Sequence, residues 1–124
     1  MKFYADIILS GENFNPFYVT EQYHINFSKA LKKGDYNKRL KSHEKKSYAV
    51  LSSKELDSIE KVINSILSEY EILLKIGEEK LGIEYKEFNL YIECLQNSFT
   101  IDTLSLARIK DYFTKINITY IQEE

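Results

Sequence analysis

Hydrophobic and polar residues alternate over residues 3–9, with Phe3, Ala5, Ile7 and Leu9 on one side and Tyr4, Asp6 and Ile8 on the other. A period of two is the mark of a strand that buries one face. Ser10-Gly11-Glu12-Asn13 reads as a turn after it. Asn15 before Pro16 has the form of a helix cap with proline at the first helical position, and Phe14 and Val19 are spaced as a hydrophobic staple. A short helix is predicted from Pro16 to about Tyr23. Residues 32–46 show neither period and include Gly34-Asp35, so they read as an exposed loop and the most mobile part of the chain.

Ser47 to Leu51 is a short apolar run of strand type, and Ser52 with Glu55 three residues later forms a capping box that predicts a helix start there. From Leu56 the apolar positions Ile59, Ile63, Ile66, Tyr70 and Leu73 recur at steps of three and four. That spacing places them on one stripe of a long helix, which Gly77 should end. Alternation returns from Glu87 to Leu95, with Phe88, Leu90, Ile92 and Cys94 inward and Asn89, Tyr91 and Glu93 outward, and Gln96-Asn97-Ser98 should end that strand. Asp102 is placed to cap a helix carrying Leu106, Ile109 and Phe113, and Ile116 to Ile121 reads as a last strand. The sum is one α+β domain: a mostly antiparallel sheet of about four strands with helices mainly on one face.

Composition fits a chain that folds unaided, with 44% hydrophobic and 29% charged residues among 124. The single cysteine, Cys94, has no partner for an internal disulfide, so a reducing cytoplasm is the expected compartment, and its inward position makes it a packing residue. Residues 1–10 lack the pattern of a signal peptide, and no run is apolar enough for a membrane helix. Charge is uneven: residues 32–46 hold seven Lys or Arg against two acids, a net +5, which leaves −7 on the remainder of a chain whose total is −2. Tyr36 among the lysines gives that segment the look of a nucleic-acid contact, but the acidic remainder would repel a phosphate backbone, so nucleic acid is not the expected partner.

The stretch ADIILSGENFNPFYVTEQYHI over residues 5–25, with KKGD soon after, resembles the opening of the bacterial family catalogued as domain of unknown function 4279. LYIECLQNSFTIDTLSLARIKDYFTKINITYIQ over residues 90–122 is similar to its second half. Tyr48 stands where that family usually has Trp. The resemblance implies a compact α+β fold in a bacterial protein, and it brings no catalytic residues with it.

Candidate chemistry is sparse. His24 and His43 are the only histidines, and the four glycines form no phosphate-binding loop, so neither a metal nor another cofactor is expected. What remains is the outward face of the sheet, where Tyr4, Asp6, Tyr91, Glu93 and Thr119 would lie together if the first, third and last strands are neighbours. Tyrosines framed by carboxylates suit recognition, because Tyr buries much area at low entropic cost. Two classes of function follow: a non-catalytic interaction protein with a protein partner, for instance of the immunity type that masks a toxin, or a small enzyme or ligand binder using the polar sheet face.

Overall fold

A computed structural model describes residues 2–94 and 100–122. The alternating N-terminal segment is a strand, β1 (Lys2–Gly11), with Phe3, Ala5, Ile7 and Leu9 at most 5% exposed. It runs through Ser10 and Gly11, where the sequence pattern places a turn, because Ser10 still finds partners in both neighbouring strands and Gly11 pairs with Ser47 of the strand at residues 47–52. Helix α1 (Pro16–Tyr23) begins as expected: the Asn15 side chain accepts from the Tyr18 amide, and Phe14 and Val19 are both buried. A three-residue strand, β2 (Lys29–Leu31), too short for alternation to reveal, follows.

Residues 32–46 are exposed along most of their length but are not a featureless loop. Two short strands, β3 (Tyr36–Asn37) and β4 (Ser42–His43), pair as a hairpin. Local polar contacts hold it: Asn37 Oδ1 accepts from the Arg39 and Leu40 amides, and the Asp35 carbonyl accepts from the Glu44 amide at 2.8 Å. No apolar period is needed for such a turn, which is why a search for periods passes over it.

Strand β5 (Ser47–Ser52) precedes the long helix α2 (Ile59–Ile76). The helix starts at Ser58, not at Ser52. Ser52 is still paired with Asp6 in the sheet, and Leu56 exchanges two backbone hydrogen bonds of 2.9 Å with Phe3, so residues 52–56 stay extended. Ser58 then caps the helix by accepting from the Lys61 amide. Ile59, Ile63, Ile66, Tyr70 and Leu73 are buried as the stripe predicts, joined by Val62 and Leu67, and Gly77 ends the helix. A short helix, α3 (Glu78–Leu81), leads into β6 (Tyr85–Cys94). Helix α4 (Thr103–Lys110) is capped by Asp102 and crosses to β7 (Lys115–Gln122). Phe113 lies beyond that helix but packs against Tyr70 and Phe88, with centroids 5.1 and 5.3 Å away. The predicted turn at Gln96-Asn97-Ser98 lies outside the described residues, as does the Cys94 side chain.

The main sheet has five strands in the order β2-β5-β1-β6-β7, antiparallel except for the β6-β7 pair. A parallel pair needs a crossover, and α4 supplies it. The buried residues of α1, α2 and α4 join those of β1, β5 and β6 in one apolar cluster, so the helices lie on one face of the sheet. The fold is therefore the expected α+β domain, with five strands in its main sheet where about four are expected, and with the small β3-β4 hairpin in addition. Within the core the Tyr70 hydroxyl is fully buried and makes no hydrogen bond among the described residues. Burial, and the nearby Glu78 carboxylate, push its pKa far up, so it is a neutral phenol at any ordinary pH.

Candidate functional site

Antiparallel pairing of β1 with β6 brings the two aromatic positions of the outer face side by side. Tyr4 is the register partner of Tyr91, Lys2 of Glu93 and Asp6 of Asn89. The Tyr4 and Tyr91 rings stack with centroids 4.9 Å apart and planes 15° from parallel. Offset stacking of this kind contributes about 0.5–1.5 kcal/mol beyond the area it buries. The Tyr4 hydroxyl donates to Glu93 Oε1 at 3.4 Å, which ties the pair to an acid on the same strand as Tyr91. Strand β7 completes the row by setting Thr119 beside Tyr91. All five residues that alternation assigns to the outer face, Tyr4, Asp6, Tyr91, Glu93 and Thr119, thus share one side of three adjacent strands.

A second group continues the same face and escaped the sequence reading as a unit. The Tyr85 hydroxyl donates to Glu87 Oε1 at 2.8 Å, and Asn89 Nδ2 donates to Glu87 Oε2 at 2.9 Å. Asn117 Nδ2 in turn donates to Asn89 Oδ1 at 2.8 Å, and Lys115 lies 4.0 Å from Glu87. Steps of two from Tyr91 back to Tyr85 would have found the β6 members, but only the parallel register shows that Asn117 and Lys115 sit beside them. Asn89 points outward as expected and is nevertheless only 7% exposed, because its amide is enclosed by these neighbours.

These contacts fix the charge state of the face. Burial raises the pKa of Tyr4, with Glu93 adding to it, and burial followed by Asp6 and Glu87 raises that of Tyr91. Tyr85 is raised first by its hydrogen bond to Glu87. All three are neutral phenols at physiological pH, and those of Tyr4 and Tyr85 donate to carboxylates. For Glu87 partial burial alone would raise the pKa, but hydrogen bonds from Asn89 and Tyr85 with the charges of Lys115 outweigh it, and the net shift is downward. The unfolded chain therefore takes up the proton first as pH falls. Stability from Glu87 is complete above the ordinary glutamate range, near about pH 4.3, and is lost as pH drops through the lower folded value. Glu87→Gln is expected to flatten this acid limb: between about pH 5 and 3 the wild type should lose more unfolding free energy than the variant. Parallel losses in urea titrations would mean that the carboxylate is not held by the network.

At the far end of the face the hairpin folds against the sheet. Ser10 of β1 and Tyr48 of β5, with Leu40, His43, Lys45 and Lys46, line an open groove of about 400 Å³. Lys29 sits over the Tyr48 ring at 5.7 Å from its centroid. The outer face is thus polarised, with Asp6, Glu87 and Glu93 around the tyrosine pair and lysines around Tyr48. His43 is fixed by a 2.9 Å contact between Nδ1 and the Gly34 carbonyl, while His24 ends α1 in a left-handed conformation. Among the described residues no three of His, Cys, Asp and Glu group as metal ligands. No helix among them is long and apolar enough to cross a membrane. No protein-family model, no curated protein and no solved structure matches this chain.

Proposed function

We propose that the chain is a non-catalytic protein-interaction domain, of the immunity type in a bacterial cytoplasm, that engages its partner through the open face of the sheet. The observation that carries this reading is the stacked Tyr4–Tyr91 pair on a face that the helices leave bare, framed by Asp6, Glu87 and Glu93. Rings already held by stacking and by a hydrogen bond lose little freedom on binding, so the area they bury is converted to affinity at low cost. Neutral phenols beside carboxylates favour a basic partner surface. The shifts of Tyr4, Tyr91 and Glu87 lead away from neutrality, which serves recognition and works against proton transfer near pH 7. The resemblance to the family of domain of unknown function 4279 fits a bacterial source.

Capture from the source bacterium, followed by titration of the identified partner, tests this. Tyr91→Ala is expected to weaken the complex by at least about 1–2 kcal/mol, the scale of an aromatic anchor, while the melting temperature falls only by the several degrees that loss of the Tyr4 stack implies and the fold is kept. Glu93→Gln should weaken it less and should reduce the slowing of association that salt produces. Equal affinities for the wild type and both variants would remove the sheet face from consideration. A second reading, ligand binding on the same face, is favoured by the groove beside Tyr48. It requires that small acidic compounds raise the melting temperature of the wild type and leave that of Tyr48→Ala unmoved.

A further inference from the structure

Away from the tyrosine pair, the outer face ends at the groove between the sheet and the basic segment of residues 32–46. That segment carries a net +5, and both of its acids are engaged in building the hairpin. Asp35 Oδ2 accepts from the Lys32 amide at 2.8 Å, and Glu44 Oε1 accepts from Asn37 Nδ2 at 2.6 Å. The cations at the groove are not engaged in this way. Among the described residues Lys29, Lys45 and Lys46 make no ion pair. Lys45 and Lys46 line the groove, and Lys29 stands over the ring of Tyr48, which also lines it. Three cations thus gather where the lining holds a single acid, Glu44. Like charges held together repel, and the contacts that fold the hairpin through Asn37 do not require them there, so the cluster fits an anion.

From this groove we infer a binding site for a small ring-bearing phosphate monoester, of the size of one nucleotide. The inference rests on the ligand-binding reading of the groove and names its ligand class. Three lysines acting as point charges match the nearly two negative charges of a phosphate monoester at neutral pH better than the single charge of a carboxylate. His43 adds a fixed group. The Gly34 carbonyl 2.9 Å from its Nδ1 can only accept, so Nδ1 carries a proton in either charge state, and the Tyr36 ring packs against the imidazole with centroids 5.4 Å apart. That leaves Nε2 as the nitrogen open to a ligand. Tyr48 and Leu40, the latter 60% exposed, offer apolar contact to a ring. The Ser10 and Ser42 hydroxyls, which make no hydrogen bond among the described residues, suit the hydroxyls of a sugar. The volume of about 400 Å³ lies at the small end of the range of about 300 to 1,000 Å³ for organic ligands, so it takes one nucleotide and not two. A nucleic-acid strand is the poorer occupant, because the −7 on the remainder of the chain repels a run of phosphates, whereas a lone phosphate stays among the lysines.

Ser10 is well along β1 from Tyr4, roughly 20 Å at about 3.3 Å per residue, so the groove and the tyrosine pair are tested separately. Amide shifts of the whole chain, followed by NMR, are titrated with AMP, GMP, CMP and UMP, and with the matching nucleoside and inorganic phosphate as the two halves. At least one nucleotide should half-saturate below about 1 mM, within reach of a ligand of that size. Its shifts should fall on Ser10, Lys29 and residues 40–48 and leave Tyr4 and Tyr91 unmoved. Nucleoside and phosphate should each bind at least about tenfold more weakly, because linking two halves makes the second contact intramolecular. Lys45→Ala combined with Lys46→Ala changes exposed residues without ion pairs, so circular dichroism should stay the same while nucleotide affinity drops at least about fivefold. Failure of all four nucleotides to saturate, phosphate binding as tightly as the nucleotide, or an unaltered affinity in the double variant would each overturn the inference. Tighter binding of a single-stranded oligonucleotide would overturn it in favour of a nucleic-acid contact. Citrate shifting the same amides when no nucleotide does would overturn the ligand class and leave the ligand-binding reading standing.

Discussion

Ile63→Ala is expected to lower the unfolding free energy by about 2–5 kcal/mol, the range for removing a buried branched side chain and leaving a cavity. Ile63 sits at the centre of the α2 stripe, is 1% exposed, and belongs to the cluster that joins the helix to β1 and β6. For a domain whose total stability is about 5–15 kcal/mol, that is a large fraction, and the melting temperature should fall by on the order of 10 °C. Seven residues along on the same stripe, Tyr70→Phe should do the opposite. It removes a buried hydroxyl that makes no hydrogen bond among the described residues, and relief of that desolvation should stabilise by up to about 1–2 kcal/mol. Urea denaturation of the two variants decides the matter. An unchanged midpoint for Ile63→Ala would mean that the stripe does not bear on the sheet, and a destabilised Tyr70→Phe would mean that the hydroxyl is bonded in solution.

How far the sequence is legible follows from the range of each interaction. Alternation reports a local condition, one buried face, and so β1 and β6 are visible in it with their outward residues Tyr4, Asp6, Tyr91 and Glu93, while β5 and β7 show as short apolar runs and Thr119 joins the set only once the strands are neighbours. Caps are equally local, and Asn15 and Asp102 act where they are expected. Ser52 and Glu55 have the residues of a capping box but lack the freedom to use it. Long-range pairing of Ser52 with Asp6 and of Leu56 with Phe3 holds that segment extended until Ser58. Strand β2 and the hairpin at residues 36–43 are invisible for a related reason. The first is three residues long and exists because β5 offers an edge, and the second rests on side-chain to backbone contacts of Asn37. The polar network at Glu87 combines both situations. Its β6 residues can be read by counting in twos, whereas Asn117 and Lys115 join it through a parallel register that depends on where the α4 crossover sets the chain down.

The antiparallel register of β1 with β6 has its own anchor, and the second large effect is expected there. Gly11 at the end of β1 and Gly82 at the end of α3 pack backbone against backbone: a Cβ on Gly11 would fall inside the contact radius of the Gly82 carbonyl, and one on Gly82 would lie 2.7 Å from the Asn13 carbonyl carbon. Neither neighbour is a flexible side chain that could turn aside. Gly82 also has φ of 76°, in the left-handed region. Gly82→Ala should therefore cost about 1–2 kcal/mol for the backbone and a further 1–3 for the overlap. Gly34→Ala is the matched control, because φ is 95° there but nothing lies within 4 Å of the added carbon, so the backbone part alone should appear. The contact also bears on the candidate site. Next to it the Glu84 amide donates to the Ser10 carbonyl at 2.9 Å, and from that point β1 and β6 run together to the Tyr4–Tyr91 pair. A forced shift at Gly82 should loosen that pairing from one end, so faster amide exchange at Ile8 and Glu87 than at the middle of α2 is expected in the variant. Equal midpoints for the Gly82 and Gly34 variants, with exchange in β1 and β6 unaltered, would show that the close approach of the two glycines does not hold the strands in register.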